Sequence, residues 1–281
     1  MIEGRGILTR TLRLYLPLAV CLVAMLFPFY WMLITSIKPN SELYSARIMP
    51  LVVYHPTLKH YVDLLTQTNF LTWTYNTMLV AVVTTTVSLV LGTMIAYPLA
   101  RMNFPGAAVV AIGVAATYLV PQPLLFIPMA DIINKLELGN TLSAVMLTYP
   151  TLLIPFSAWL LMGYFKSVPR ELEEAARIDG ASRFQAMWRV VLPLTTPGLL
   201  SAGIFSFTLA QNEFLYALIF LSKSEVRTVP VGAITELIRG DVFYWGQLMA
   251  AALLGSIPVA VIYSFFVDYY VAGLTAGSVK S

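Results

Sequence analysis

Six long apolar runs, almost free of charge, organise the chain: residues 14–37, 75–100, 107–130, 141–165, 198–222 and 246–270. A helix that crosses a bilayer needs about 20 mostly apolar residues, and each run reaches that length. Soluble strands are far shorter, and a membrane barrel would show short alternating segments instead. The pattern therefore predicts an all-α integral membrane bundle of six transmembrane helices, forming one domain over residues 1–281. The first run follows basic residues, as a signal peptide would, but it is too long and lacks a small-residue cleavage site, so it reads as a retained span. Composition points the same way: 58% of residues are hydrophobic and 11% charged, against about 25% charged in a soluble domain.

Even numbers of spans put both termini on one side. The segments on the terminal side hold ten Lys and Arg residues against five acids outside the spans, whereas the seven basic residues of the opposite loops are matched by seven acids. By the enrichment of Lys and Arg in cytoplasmic segments, both termini are expected in the cytoplasm. The net charge of +3 is scattered and forms no basic stripe, which sets nucleic acid aside as a partner. Cys21 is the single cysteine, so no internal disulfide forms. His55 and His60 sit on an outer loop without the Cys or acidic companions a metal site needs. No nucleophile elbow, paired catalytic carboxylates or Ser/His/Asp set is visible, so no catalytic residue is assigned.

The 166–197 loop carries the clearest local signals. Pro169 suits a first helical turn, Glu171, Glu173 and Glu174 follow at the positive end of the dipole, and Gly180 fits a C′ stop. Ser182 with Gln185 forms a capping-box pattern that starts a second helix, expected to end before Pro193. Phe184, Met187, Trp188 and Val191 then fall on one apolar stripe, which needs a partner: the chain's own span ends, the lipid interface or another protein. Deeper in the membrane, Gln211, Asn212 and Glu213 put three successive polar side chains inside the fifth run, where successive positions lie about 100° apart, so the helix must be central or locally broken. Gln122, between Pro121 and Pro123, marks a second irregularity. Gln122, Asn212, Glu213 and Tyr216 are the candidates for a translocation path, and Tyr118, Tyr149 and Tyr216 offer aromatic faces. Ala202, Ser206 and Ala210 recur every four positions and would let another helix approach closely.

Glu174-Ala175-Ala176, three residues, Gly180, nine residues and Val190-x-Leu192-Pro193 resemble the EAA loop of permeases in ATP-binding-cassette importers, with Val in place of the consensus Ile. Phe29-Tyr30-Trp31 with Ser36-x-Lys38, Ala96-Tyr97-Pro98-Leu99-Ala100-Arg101, Asn212-Glu213-Phe214 and Ala272-Gly273-Leu274-Thr275-Ala276-Gly277 extend the resemblance to the carbohydrate-importer branch, and most of all to the smaller permease of maltose importers. The resemblance implies a non-catalytic transport subunit of the bacterial cytoplasmic (inner) membrane. It would work with a second permease subunit, two copies of an ATP-binding subunit and an extracytoplasmic solute-binding protein. ATP and Mg would be bound by those ATPase subunits and no cofactor by this chain, which has no Gly-Lys dipeptide and so no Walker A loop.

The resemblance also implies a docking surface for the ATPase at Glu174, Ala175, Ala176, Gly180, Phe184, Met187, Leu192 and Pro193, with Glu174 meeting a basic residue and Gly180 allowing the turn. The tail residues Gly273, Leu274, Thr275 and Gly277 would reach the ATPase interface. The solute implied is a sugar, a mono- or oligosaccharide or a derivative. A polyamine or a phosphate ester is the alternative.

Overall fold

The computed structural model describes the backbone of residues 11–276 and the side chains of residues 13–266. Apart from a two-stranded hairpin, regular structure there is helical. Four helices are long and apolar enough to cross a membrane, and two bent helix pairs raise the number to as many as six. The long helices are α1 (Leu16–Ile37), α4 (Phe70–Arg101), α7 (Leu142–Ser167) and α13 (Trp245–Ala276). Between α1 and α4 lie the short α2 (Asn40–Leu43) and α3 (Lys59–Gln67).

The third and fifth runs are broken rather than continuous. The third divides into α5 (Ala107–Tyr118) and α6 (Gln122–Lys135), bent by 95°. Pro121 has no N–H for the ladder and adopts an extended ψ of 125°, which ends α5 and opens α6. The fifth run holds α10 (Thr196–Asn212) and a short α11 (Leu215–Phe220), separated at Glu213, whose ψ of 126° leaves the helical region. The 166–197 loop forms α8 (Arg170–Ile178) and α9 (Arg183–Leu194), with α9 and α10 meeting at 78°. The last short helix is α12 (Val229–Leu237), followed by β1 (Ile238–Arg239) and β2 (Val242–Phe243).

The described residues form two compact units, one taking the chain up to Phe70 with Ala233–Ile257, the other Leu71–Gly232 with the chain from Pro258 on. In the first unit, the segment after α1 is held by polar bonds. The Lys38 ammonium donates to the carbonyls of Met49 and Pro50, and the buried Glu42 carboxylate accepts from the Tyr54 N–H at 3.1 Å, the His55 N–H at 2.8 Å and the His55 ring. Burial pushes the Glu42 carboxyl upward, but these three hydrogen bonds more than offset it and hold the carboxyl below its ordinary value. The His60 ring is buried against Gly246, where a Cβ would lie 2.3 Å from it, and bonds the Lys38 carbonyl at 2.7 Å.

The second unit has two apolar cores. One gathers α4, α6, α7, α10 and α11 around Val80, Ile133, Tyr149, Leu153, Phe207, Tyr216 and Phe220. The other joins the far ends of α4 and α7 to α9 and α10 through Tyr97, Leu161, Phe165, Met187, Val191 and Ala202. The small-residue stripe has the packing role its spacing suggests. Ala202, Ser206 and Ala210 are buried, Ser206 bonds Ser157 of α7 at 3.0 Å, and Gly198, one period earlier, lies under the Tyr164 ring, where a Cβ would approach to 2.3 Å. Hydroxyls inside α4 bond back to their own helix, Thr77 to the Trp73 carbonyl and Thr84 to the Val80 carbonyl, each at 2.7 Å, so threonines remain affordable within an apolar span.

Candidate functional site

In the 166–197 loop, local chemistry is realised residue by residue. Gly180 takes φ +91°, a conformation costly for any residue with a Cβ, and its N–H reaches the Arg177 carbonyl while Ala181 reaches Ala176. This pair of bonds is a Schellman stop. The capping box closes in both directions: Gln185 N–H to the Ser182 hydroxyl at 3.2 Å and Ser182 N–H to the Gln185 amide oxygen at 2.8 Å. α9 does not end before Pro193. Residues Met187–Val191 form a π turn, with the Leu192 N–H reaching back to Met187, and the widened turn carries the helix through Pro193 to Leu194.

The apolar stripe splits along its two i,i+4 rows. Met187 and Val191 are buried in the chain's own core, whereas Phe184 and Trp188 stand exposed, their rings stacked with centroids 6.4 Å apart. Of the residues expected to dock, Met187 and Leu192 are thus core residues of this chain, and their side chains are not free for a partner. Glu174, Ala175, Gly180, Phe184 and Pro193 are exposed and Ala176 is half-buried, so these positions remain accessible. The backbone at Gly273, Leu274 and Thr275 continues α13, their side chains lie outside the described residues, and Gly277 lies outside them altogether.

A neighbouring acid, which spacing did not distinguish from Glu171 and Glu174, ties the loop to a span. Glu173 accepts the Tyr97 hydroxyl proton at 2.6 Å and pairs with the Arg101 guanidinium at 3.1 Å. Arg101 also donates to the Val168 carbonyl at 2.8 Å, so the last turn of α4 grips both the lead-in and the first turn of α8. Tyr97 and Arg101 bracket the Ala96–Arg101 segment already singled out in the sequence, but nothing within that segment signals a partner 76 residues away.

The two breaks in the membrane runs meet. Gln122, the first residue of α6, donates to Glu213 Oε1 at 2.7 Å. The same carboxylate accepts the N–H groups of Tyr216 at 2.9 Å and Ala217 at 3.1 Å, capping the start of α11. A carboxylate therefore substitutes for the carbonyls that an unbroken helix would supply, which explains why the chain can leave the helical path at an apolar depth. Both residues line a cavity of about 540 Å³, together with Tyr118, Tyr149 and Asn212. Asn212 is exposed to it and bonds only to the Thr208 carbonyl of its own helix, at 2.8 Å. Tyr216, expected on the same path, is fully buried in the core and does not line the cavity, because the break turns α11 and aims that ring inward.

Helices that break at polar side chains around a cavity, within an otherwise apolar bundle, are the architecture of a membrane transporter. The chain belongs to the family described as the inner membrane component of binding-protein-dependent transport systems, whose signature matches residues 88–275. It is accordingly a multi-pass inner-membrane transport subunit. It is 36% identical to the sulfoquinovosyl glycerol transport system permease of Agrobacterium fabrum, covering 95% of this chain and 93% of the relative. It is 35% identical to the trehalose/maltose transport system permease of Thermococcus litoralis, covering 95% and 97%. Its fold matches a chain of a bacterial ABC transporter that imports the acidic polysaccharide alginate, with a TM-score of 0.79, 22% identity and coverage of 96% of this chain and 99% of that one.

Proposed function

We propose that this chain is a permease subunit of a binding-protein-dependent ABC importer and moves a sugar across the inner membrane, driven by ATP hydrolysis in partner subunits. Both termini face the cytoplasm. Six spans build the domain: α1, α4, α7 and α13 are four of them, the bent pair α5–α6 forms the third in chain order, and α10 continued by the short α11 forms the fifth. A second permease chain completes the path, two ATP-binding subunits carry the nucleotide and Mg, and an extracytoplasmic binding protein delivers the solute. The EAA loop docks the ATPase through Glu174, Ala175, Gly180, Phe184 and Pro193, and the stacked Phe184–Trp188 pair is the apolar part of that surface.

The observation that carries the reading is the meeting of Gln122 and Glu213 beside a cavity walled by Tyr118 and Tyr149. Hydrogen-bonding groups next to aromatic faces suit a hydroxyl-rich ring, whose polar edge and apolar faces must both be matched. Relatives named for trehalose/maltose and for sulfoquinovosyl glycerol support a sugar as the solute. The test is ATP-driven uptake into vesicles holding the complete complex, offered labelled oligosaccharide, polyamine or phosphate ester in turn. Sugar accumulation that disappears with Glu174→Lys, together with loss of the co-purifying ATPase, is the expected result. ATP-driven uptake of polyamine without uptake of any sugar would overturn the assignment.

A further inference from the structure

The turn between α4 and α5 and the end of α7 enclose a groove of about 720 Å³ that plays no part in the site above. Its floor is apolar, with Phe104, Ala107 and Ala111 among its lining residues, and its polar rim carries Asn103, Lys166 and Arg170. Lys166 and Arg170 are exposed, and neither takes part in an ion pair or hydrogen bond, unlike Arg101 nearby, which Glu173 neutralises. Among the described residues, no carboxylate lines the groove. The N-terminus of the 12-residue α5 also opens into it. Its N-cap Gly106 offers no side-chain cap, and Ala108 and Val109 of the first turn are lining residues. Two unpaired cations and an uncapped helix start thus converge on one concave surface, all three favouring an anion.

The position of the groove narrows the anion's nature. α4 ends at Arg101 and α7 at Ser167, so the groove lies where two spanning helices leave the hydrocarbon. α5 has no buried residue, and Val109 and Ile112 are 73% and 69% exposed. A ligand for this place needs a phosphate at the rim and hydrocarbon along the bare helix.

We infer that the groove is a binding site for an anionic glycerophospholipid. The phosphodiester sits between Lys166 and Arg170, the guanidinium supplying a two-pronged contact and the ammonium a point charge, with the α5 N-terminus behind it. One acyl chain runs along α5. A free oxyanion would use the same cations, but it would leave the apolar floor and the bare helix uncovered. The inference needs α4 and α7 to cross the membrane and the bare face of α5 beside the groove to meet lipid. It is independent of the orientation and of the solute.

The experiment is a lipid titration by native mass spectrometry on the delipidated, detergent-solubilised complex. Phosphatidylglycerol and phosphatidylcholine are compared, each with and without millimolar inorganic phosphate. Phosphatidylglycerol should bind roughly tenfold or more tightly than phosphatidylcholine, and the K166A/R170A variant should lose that preference while retaining ordinary phosphatidylcholine adducts. The charge-preserving K166R/R170K variant should keep the preference, which separates lost recognition from lost folding. Equal binding of the two lipids by the wild type, or an undiminished preference in K166A/R170A, overturns the site. Displacement of phosphatidylglycerol by phosphate alone assigns the cations to a free oxyanion and overturns the lipid. Side-specific labelling of the chain, which tests orientation, leaves this outcome untouched.

Discussion

Replacing Glu213 with Leu removes an acceptor that serves three donors at once: the Gln122 amide and the N–H groups of Tyr216 and Ala217. Each buried donor left without a partner costs about 1–3 kcal/mol, so the two buried backbone N–H groups together cost at least about 2 kcal/mol, roughly thirtyfold in a two-state equilibrium. Water entering the cavity can satisfy the Gln122 side chain but not both backbone groups at the start of α11. Glu213→Gln retains a carbonyl oxygen that can serve one or two of the donors, and its cost should be about 1–2 kcal/mol. Asn212→Leu should cost almost nothing, because Asn212 bonds only within its own helix and faces the cavity. The expected order of assembled complex recovered from membranes is therefore wild type, Asn212→Leu, Glu213→Gln and, far behind, Glu213→Leu. Uptake per assembled complex should fall in Asn212→Leu, whose recovery is normal. Glu213→Leu complex recovered at the wild-type level and transporting at the wild-type rate would refute both the capping role and the placement of this carboxylate beside the path.

Four further outcomes follow from other parts of the molecule. Gly198→Ala drives a Cβ into the Tyr164 ring and should lower the yield of folded protein, with partial recovery in a Gly198→Ala/Tyr164→Ala double variant assayed by thermal unfolding in detergent. Glu173→Gln strips Arg101 of its counter-charge, and uptake should fall several-fold more than ATP turnover when both are read from the same vesicles. Glu42 is stabilised in its charged form, so its contribution is complete above a pH of about 4.5, the unfolded value, and is lost as pH falls through the lower folded value. Protease cleavage of the 38–58 segment should rise below that pH, and Glu42→Gln should be cleaved readily at every pH. For orientation, in a Cys21→Ser background, a cysteine replacing Gln185 should react only from the cytoplasm and one replacing Lys59 only from outside. His60 is unsuitable for the outer label because its ring is buried.

Much of the loop architecture was legible because its causes are local. The Ser182–Gln185 box and the Gly180 stop act over six residues or fewer, so spacing alone carries them. Periodicity was less complete. It placed Phe184, Met187, Trp188 and Val191 on one stripe about 100° wide, but a stripe does not say where its buried edge ends, and the border falls between two rows within it. The membrane breaks were marked by their residues, prolines around Gln122 and adjacent polar groups at Glu213, since both are costly in an unbroken span. Their union was not visible, because 91 residues separate them and no local preference encodes which distant donor a carboxylate finds. Asn76, which anchors the Glu225 and Arg227 carbonyls, and Asn140, which receives the N–H groups of Ser222 and Lys223, escaped notice for the same reason. Tyr216 was misplaced because the break at Glu213 resets the helical phase for everything after it.

The division of labour at Glu213 sets how readily this corner can rearrange. Two of its three bonds are to the chain immediately following, so they travel with α11 whenever that segment moves. The Gln122 amide is the only one of the three that joins it to another helix. On the proposed reading of the cavity as a sugar path, a solute hydroxyl arriving there would donate to Glu213 in place of that amide, one hydrogen bond exchanged for another of similar strength, with a freed Gln122 able to bond the solute in turn. Such an exchange is close to thermoneutral, so on that reading the corner between α5–α6 and α10–α11 would unclasp on solute arrival without an intermediate in which a buried group stands bare. The ligand then tips the balance only through the difference in its affinity for the clasped and unclasped forms, a difference that one hydrogen bond is large enough to supply.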